Sequence, residues 1–404
     1  MHESITNTIR HAGPAELARA LAASRQDTLA TFTAYEQALA TQQLRVPLAP
    51  TLNLPLWELG HVGWFQEWWI GRYPERRRGA AANPAAPRRE PVRAGADELY
   101  NSSRVAHASR WSLALPDAPA TRGDLARQLG HTLALLAEVE AGNDDALYFF
   151  RLVLLHEDMH HEAAIYMAQA LGIPITEPRW QPQPDTGPRT ELAFAPSRFA
   201  LGHSGSGFAF DNELRAQDVY VGAFHIDRRA VNWGEFLPFV EDGAYGNERW
   251  WSPAGRQWRA AHRPAAPRYL RRTGSGWEQR CGGLWQAVEH AAPACHLTHF
   301  EAQAWCAWAG RRLPSEDEWE RAAIEQPAEF GWGCVWEWTA SPFAPYPGFV
   351  AHPYREYSAP WFDGRPVLRG ASFATQPRMK HPRYRNYFTP ERNDIAAGFR
   401  SCRI

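Results

Sequence analysis

Two histidines stand four residues apart in the segment LLHEDMHHEAAIYM, residues 154–167. His156 and His160 therefore project from one face of a helix, one turn apart. The letters also fit the H-E-x-x-H pattern, in which two helical histidines bind zinc and the glutamate, here Glu157, acts as a general base. Apolar residues share the histidine face, which predicts that the imidazoles point into a protein interior. Taken alone, the pair fits polar neighbours and a metal ion equally well, because buried imidazole nitrogens need one or the other.

A third histidine lies at the centre of an aromatic segment, LWELGHVGWFQEWW, residues 56–69. Helical spacing puts four aromatic side chains in one stripe with it, namely Trp57, Trp64, Phe65 and Trp68. Alone, His61 is more simply a core residue. Together with His156 and His160 on another inward-facing helix, it predicts a neutral three-nitrogen site suited to Fe(II), zinc or a similar ion. Positions opposite that site would bind substrate or oxygen.

A zinc peptidase would need a third ligand downstream of the motif. The next histidine after His161 is His203, which follows a proline-rich segment, and Glu177 lies just before a proline. A third ligand upstream, at His61, fits a helix bundle. The sequence therefore disfavours a peptidase and assigns Glu157 no role as a base.

The elements that must position these histidines are helices. Helical periodicity is found at residues 15–42, 54–70, 123–140 and 144–171. Four amphipathic helices predict a bundle over residues 1–173, with its site built from inward-facing side chains. Residues 174–193 are rich in proline and predict a linker. Residues 194–404 mix short alternating runs with Gly, Pro and Trp, which predicts an α+β domain with much irregular structure.

Length, charge and cysteine content limit the class of protein. The chain has 404 residues and a formal net charge of −1, so two domains are expected and no global field recruits nucleic acid or an anionic membrane. No apolar run approaches the ~20 residues of a membrane span, and no secretory signal is expected. The 5 cysteines are widely spaced and form no C-x-x-C, which predicts a reducing cytoplasm. The oligomeric state is not indicated.

Ordered motifs in the second half resemble a known domain. They are AGRRLPSEDEWERAA (309–323), CVWEWTASPF (334–343), VLRGASF (367–373) and GFRSCR (398–403). This half resembles the formylglycine-generating-enzyme domain, a C-type-lectin-like fold. With GHVGWFQEWW and HEDMHHE, the chain resembles the iron(II)-dependent sulfoxide synthases of ergothioneine biosynthesis. The resemblance implies a two-domain α+β protein in which a DinB-like four-helix bundle precedes a formylglycine-generating-type domain.

The resemblance also implies a cofactor and substrates. The family's iron ligands fall on His61, His156 and His160, so Fe(II) is the implied cofactor. Hercynine, a histidine betaine, would bind through its imidazole, with a thiol beside it and O2 at the remaining position. A carbon–sulfur bond would then form at the imidazole ring. The aromatic wall suits a trimethylammonium group.

The segment RNYFTPER matches the family's substrate-binding segment. The match implies a substrate-binding role for Arg385, Asn386, Tyr387, Phe388 and Arg392. Asn386 and Tyr387 fall on the hercynine-binding positions. Members that use γ-glutamylcysteine carry an Asp where this chain has Phe388. Without that Asp, the ammonium group of γ-glutamylcysteine would be buried without a partner, which costs roughly several kcal/mol of binding free energy.

Two departures from that pattern resemble the selenoneine synthase branch. Phe388 replaces the Asp, and Met159 replaces a Gln near the hercynine imidazole. Members of this branch join hercynine to a 1-seleno-sugar through a carbon–selenium bond, and a neutral sugar needs no carboxylate partner. The alternative is a hercynine oxygenase, a sulfoxide synthase that forms a carbon–sulfur bond in ergothioneine biosynthesis.

The family's proton-donating tyrosine has no clear counterpart in the sequence. Tyr354 and Tyr346 are the candidates, Tyr357 lies nearby, and Phe349 is a further candidate for the position itself.

Residues 99–111 are expected to line the mouth of the substrate site. Arg104, His107 and Arg110 are candidates there, although an exposed loop position is the simpler role for each.

Two further classes remain open from the sequence. A formylglycine-generating copper enzyme would need a cysteine pair near the C-terminus, where Cys402 stands without a close partner in sequence. A non-catalytic binding module would be a lectin-like domain on a helical stalk.

Overall fold

The fold is that of a computed structural model, which describes residues 8–404. A helical region is followed by a sheet-rich region, which confirms the predicted two-domain α+β class. The α-helices of the first region are α1 (Thr8–His11), α2 (Pro14–Ala38), α3 (Pro55–Gln66), α4 (Ala96–Tyr100), α5 (Ala118–Ala137) and α6 (Asp144–Leu171). Helices α2, α3, α5 and α6 pack against one another as the predicted bundle.

The ends of α6 follow local capping rules. Asn143 is the N-cap, and its side-chain oxygen accepts a hydrogen bond from the amide of Ala146 (3.0 Å). Gly172 has the left-handed backbone (φ 73°) that ends a helix, which glycine adopts without steric cost. Between these caps α6 is long enough to carry both His156 and His160 in its central turns.

Helix α3 begins with a proline and ends in an unusual turn. Pro55 occupies the first helical turn, where no backbone donor is lost. The chain then continues as a π-helical turn over Glu67–Gly71. Such turns are rare and occur mostly at functional sites.

The second region contains further helices and short strands. The helices are α7 (Trp233–Glu241), α8 (Pro253–His262), α9 (His299–Trp308) and α10 (Glu316–Glu325). The strands are β1 (Glu191–Phe194), β2 (Ser197–Leu201), β3 (Gln217–Val221), β4 (Phe224–Asp227), β5 (Leu270–Thr273), β6 (Gly276–Cys281), β7 (Leu284–Ala287), β8 (Arg311–Arg312), β9 (Trp336–Pro342), β10 (Pro366–Arg369), β11 (Asn386–Tyr387), β12 (Ala397–Gly398) and β13 (Cys402–Arg403).

The strands form two four-stranded sheets and two smaller ones. The first has the order β1-β4-β13-β8, and all its neighbours are antiparallel. The second has the order β11-β10-β9-β12, in which β9 and β12 are parallel. Strands β2 and β3 form a pair, and β5, β6 and β7 form a meander. Strand β11, which carries two predicted substrate residues, therefore lies at a sheet edge.

Buried arginines hold this irregular region together. Arg400 is 0% exposed and donates to the carboxylate of Glu337 (2.7 Å) and to the backbone carbonyl of Asp227 (3.0 Å). Arg369 pairs in the same way with the buried carboxylate of Glu320. Each charge of such a pair depends on its partner, because an unpaired buried charge is costly.

The two regions share one hydrophobic core and are joined by ion pairs. On α6, Asp158 accepts two hydrogen bonds from Arg378 of the second region (2.6 and 2.7 Å). Arg10 of the first region pairs with Glu213 of the second (2.9 Å). Helix α6 is thereby held against the sheet-rich region.

The connection between the regions is anchored along its length. The backbone amide of Ile175 donates to the carbonyl of Gly282 (3.1 Å), and Trp180 packs on the ring of His161 (4.9 Å). Strand β1 begins at Glu191, inside the predicted linker. The limits 1–173, 174–193 and 194–404 stay predictions. Among residues 8–404, no helix is both long enough and apolar enough to cross a membrane. A cytoplasmic location stays a prediction.

Candidate metal centre and the cavity beside it

Three histidines meet where α3 packs against α6. One ligand atom from each of His61, His156 and His160 lies within 4.8 Å of the other two. The Nε2 atoms of His156 and His160 are 3.2 Å apart. His61 is 2% exposed and His156 is 3% exposed. The structure thus brings together the three predicted ligands in an arrangement that one metal ion can bridge. These three histidines are called the triad.

Hydrogen bonds fix the outer nitrogens of two of these imidazoles. Nδ1 of His61 donates to the backbone carbonyl of Tyr100 (2.8 Å), and Nδ1 of His160 donates to the carboxylate of Glu58 (2.5 Å). These bonds select the tautomer whose Nε2 carries a lone pair, as in histidine metal ligands. Burial lowers the pKa of His61 to about 3, which keeps its imidazole neutral at neutral pH. A divalent ion fits this set, because it would bind lone pairs that otherwise face one another in a buried space.

The carbonyl of Tyr100 reaches His61 because Gly60 leaves room for it. A Cβ atom at position 60 would lie 2.3 Å from the ring of Tyr100. Real Cβ atoms do not approach another atom so closely, so a larger residue here would push α4 away from α3. Gly60 therefore supports the orientation of the neighbouring ligand.

Glu58 belongs to the site and was not singled out from the sequence. It lies three residues before His61 on α3, so the two share a helix face. Asn53 donates to its second carboxylate oxygen. Burial alone would raise the pKa of Glu58, but the adjacent His160 outweighs this and holds it at about 2. The spacing of Glu58 and His61 was the available signal.

Aromatic rings enclose the triad. Trp57 and Trp64 stack on His61, with ring centroids 4.8 and 5.7 Å away. Phe65 stacks on His156 with centroids 3.5 Å apart. Three members of the predicted stripe thus surround the imidazoles and restrict the approach of water.

Glu157 does not act with the triad. Its buried carboxylate accepts two hydrogen bonds from Arg25 (2.7 and 3.0 Å). A general base must reach the proton that it abstracts, and this carboxylate is held in an ion pair on another side of α6. Glu157 is therefore not placed to act as the general base that the H-E-x-x-H pattern would require.

A cavity of about 300 Å³ opens beside the triad. It is called the triad cavity here, and its wall includes Glu58, Met159, Glu162, Tyr384, Asn386 and Phe388. Arg392 also lines it, but its guanidinium is held by Asp394 (2.6 and 2.7 Å) and lies over the ring of Phe388 (4.7 Å). Asn386, Phe388, Arg392 and Met159, which the sequence singled out separately, therefore meet in one cavity.

The neighbours of Asn386 on the chain face elsewhere. Arg385 is 1% exposed and forms a two-point ion pair with Glu316 (3.0 Å for each bond). Tyr387 stacks on Phe343 with centroids 4.0 Å apart. Side chains alternate across a strand, so β11 can direct only every second one to the cavity. Arg385 and Tyr387 stay predictions as substrate residues.

The two candidate tyrosines have different surroundings. Tyr354 packs edge-on against Phe65 (5.0 Å), and its ring is 6.2 Å from that of His156. Burial raises the pKa of Tyr354, which keeps its hydroxyl protonated. Tyr346 lies instead beneath the guanidinium of Arg385 (4.0 Å). Of the two, the structure brings Tyr354 to the triad.

The loop of residues 99–111 contacts the site at three points. His107 lines the triad cavity and donates from Nε2 to the carbonyl of Leu52 (2.7 Å). The guanidinium of Arg110 lies over the ring of Trp57 (3.7 Å). Arg104 lines a second cavity, of about 300 Å³, with Trp64, Phe65, Trp68 and Tyr354.

Comparison with known proteins gives matches over almost the whole chain. The hercynine oxygenase of Mycolicibacterium thermoresistibile is 31% identical, over 96% of this chain and 94% of that protein. The hercynine oxygenase of Mycobacterium tuberculosis is 32% identical, over 96% of this chain and 98% of that protein. The chain belongs to the hercynine oxygenase family. This confirms the resemblance to ergothioneine-type sulfoxide synthases and places the chain in a family of oxygenases.

The second half of this hercynine oxygenase family member matches a domain family of its own. The model of the sulfatase-modifying factor enzyme 1-like domain matches residues 178–334 and 331–403. The predicted formylglycine-generating-type domain is thereby confirmed. A formylglycine-generating enzyme of Streptomyces coelicolor is 30% identical, but over only 38% of this chain. The hercynine oxygenases, in contrast, match 96% of this chain.

Proposed function

We propose that the protein is a hercynine oxygenase that uses O2 to form a carbon–sulfur bond between hercynine and a thiol. The observation that carries the proposal is a cluster of three imidazoles, within bridging distance of one metal ion, beside a cavity. Support comes from the similarity to hercynine oxygenases over 96% of the chain. The sequence offered this reaction as the alternative to carbon–selenium bond formation, and these relatives favour the alternative.

The proposal assigns His61, His156 and His160 as the ligands of Fe(II). Bound there, Fe(II) supplies the one-electron chemistry that O2 requires. The chain's own part is orientation: the carbonyl of Tyr100 and the carboxylate of Glu58 hold two imidazoles in place. The stacked rings keep bulk water away from the reacting atoms, which strengthens every polar interaction inside.

Residues of the second region complete the proposed reaction. Asn386 lies on an edge strand and lines the triad cavity, where its amide can hold hercynine next to the imidazoles. We assign proton donation to Tyr354. Its ring centroid is 6.2 Å from that of His156, and burial raises its pKa and so keeps its hydroxyl protonated. Tyr346 is the weaker candidate, since Arg385 covers its ring.

A 1-seleno-sugar is the second candidate for the chalcogen donor. The observation in its favour is the state of Arg392, which is bound by Asp394 and lies over Phe388. A donor with a free carboxylate would have to compete with Asp394 for this guanidinium. A neutral donor would not.

Product analysis tests the reaction and the donor together. The Fe(II)-loaded protein is incubated with hercynine, O2 and an equimolar mixture of cysteine, γ-glutamylcysteine and a 1-seleno-sugar, and the products are identified by mass spectrometry. Sulfur-containing products that require hercynine support the proposal. Exclusive formation of a selenium product would refute the carbon–sulfur assignment, and no hercynine-derived product would refute both.

Metal analysis tests the proposed ligands separately. We expect each of the variants His61→Ala, His156→Ala and His160→Ala to lose bound iron. The control is His161→Gln, because His161 lies on the same helix but bonds to Thr31 (2.9 Å). Full iron content in the three triad variants would overturn the assignment.

A further inference from the structure

Glu162 is a buried carboxylate with an unusual set of partners. It lies on α6, two residues after His160, and is 5% exposed. Its Oε1 atom accepts hydrogen bonds from Tyr166, Trp336 (2.7 Å), Ser372 (2.9 Å) and Thr375 (2.9 Å). All four donors are electrically neutral. Within residues 8–404, no donor forms a hydrogen bond with its second oxygen, Oε2, and Glu162 lines the triad cavity.

Many other buried carboxylates of this protein have a cationic partner, whereas Glu67 and Asp211, in the described part of the chain, accept hydrogen bonds only from uncharged donors but do not line the triad cavity. Arginines pair with Glu157, Asp158, Glu213, Glu320 and Glu337. The ammonium group of Lys380 is close enough for its charge to act on Glu162, but it donates to the backbone carbonyl of Gly333 (2.6 Å). Within residues 8–404, Glu162 forms no ion pair, so its charge has no matched cation inside the described part of the protein.

Glu301 is a buried carboxylate whose hydrogen-bond donors are also uncharged, but a helix dipole stabilises its charge as well. It is 0% exposed and accepts hydrogen bonds from Tyr245 (2.6 Å) and Thr298 (2.9 Å). However, it lies in the first turn of α9 and forms its capping box, where the helix dipole favours a negative charge. Glu162 lies in the interior of α6 and has no such compensation.

The triad cavity as a whole favours a cation. Three carboxylates line it, those of Glu58, Glu162 and Asp394, against the single guanidinium of Arg392. The aromatic rings of Tyr166 and Tyr384 also line it. Quaternary ammonium groups have no N–H donor, so they bind through opposite charge and through cation–π contacts. A carboxylate beside aromatic rings provides both.

We propose that Glu162, with Tyr166 and Tyr384, binds the trimethylammonium group of hercynine and so determines specificity for a betaine. This inference rests on the proposed function and adds the residues that recognise the cation. The carboxylate supplies the opposite charge and the two rings supply cation–π contacts. Asn386 then holds the rest of the substrate toward the triad.

Binding measurements on a pair of ligands test the inference. Hercynine carries the trimethylammonium group, whereas imidazolepropionate lacks it but keeps the ring and the carboxylate. Calorimetry is performed under anaerobic conditions on the metal-loaded wild type and on Glu162→Gln. We expect the variant to bind hercynine about 10- to 100-fold more weakly, the loss of one charge-assisted contact. Its affinity for imidazolepropionate should change less than about twofold, well below the tenfold step of 1.4 kcal/mol.

The matched control is Glu301→Gln, which neutralises another buried glutamate away from the triad cavity and should bind both ligands as the wild type does. An equal loss for both ligands in Glu162→Gln would overturn the inference, since a structural role alone explains it. If Glu162→Gln does not fold, the wild type still decides, because equal affinities for the two ligands would also overturn the inference. A wild type that binds imidazolepropionate but not hercynine would refute the proposed function itself.

Discussion

Replacing Glu58 by glutamine should weaken metal binding without unfolding the protein. One carboxylate oxygen accepts the Nδ1 proton of His160 at 2.5 Å, and the other accepts from Asn53. A glutamine at this position can still accept one of these bonds, but it carries no charge, and its amide group must face a donor. Loss of such a partner of a histidine ligand costs about 10- to 100-fold in metal affinity, or about 1.4–2.8 kcal/mol.

The assay is an anaerobic titration of Fe(II) against a competing chromophoric chelator, with the wild type and Glu58→Gln in parallel. Glu67→Gln is the control. Glu67 is 5% exposed and follows the same helix, but its carboxylate accepts from the amide of Val92 (2.8 Å) and from Gln128 (3.2 Å). We expect the control to keep wild-type affinity.

Unchanged affinity in Glu58→Gln would refute the reasoning that this carboxylate orients the ligand. An equal loss in the control would refute it too, because any buried carboxylate of the segment would then have the same effect. A loss above about 1000-fold would exceed the range for a supporting residue and would make Glu58 a direct ligand.

Three further predictions concern stability and substrate choice. Glu337→Gln leaves Arg400 buried without its counter-charge. The free energy of unfolding, measured in urea, should therefore fall by about 3–5 kcal/mol. A decrease below about 1 kcal/mol would contradict this prediction. Burial lowers the pKa of His299 to about 4, so the unfolded chain binds more protons between pH 6.5 and pH 4. Stability should therefore be lost as the pH falls through that window, by about 3 kcal/mol from this residue, and His299→Gln should make urea unfolding less pH-dependent. Phe388→Asp introduces a carboxylate into the triad cavity. KM for γ-glutamylcysteine should then fall by about tenfold, which is the effect of one ionic contact. An unchanged KM in steady-state assays would show that the ammonium group of this substrate lies elsewhere.

The triad could be predicted because helices impose a strict geometry. The four-residue spacing of His156 and His160, and the aromatic stripe around His61, each define one helix face. The predicted segment 54–70 agrees closely with α3 and its π-helical turn, while the predicted segment 123–140 begins after the observed start of α5. That helix starts at Ala118, because Asp117 caps it and Pro119 suits its first turn.

The second region was less accessible to sequence reasoning. Its strands are as short as the two residues of β11, too few to show alternation. The second region is held together by arginine–glutamate pairs between residues far apart in sequence, such as Arg400 with Glu337. No spacing rule predicts such pairs. The resemblance to known motifs, rather than periodicity, indicated this fold.

Site residues were missed where long-range contacts decide their role. Glu162 became informative only when its four neutral donors and its place in the triad cavity were known. Arg385 stays a predicted substrate residue, and the sequence did not reveal that Glu316 binds its guanidinium in the interior. Tyr354 and Tyr346 could not be separated until their contacts with Phe65 and Arg385 were known.

Hercynine-dependent uptake of O2 decides whether the protein is a hercynine oxygenase. The Fe(II)-loaded protein is placed in an oxygen electrode with cysteine, and hercynine is then added. We expect rapid uptake to begin only after hercynine is added and to be absent in His156→Ala. Fully metal-loaded protein that consumes no O2 in response to hercynine, with cysteine, γ-glutamylcysteine or a 1-seleno-sugar as donor, would contradict this expectation.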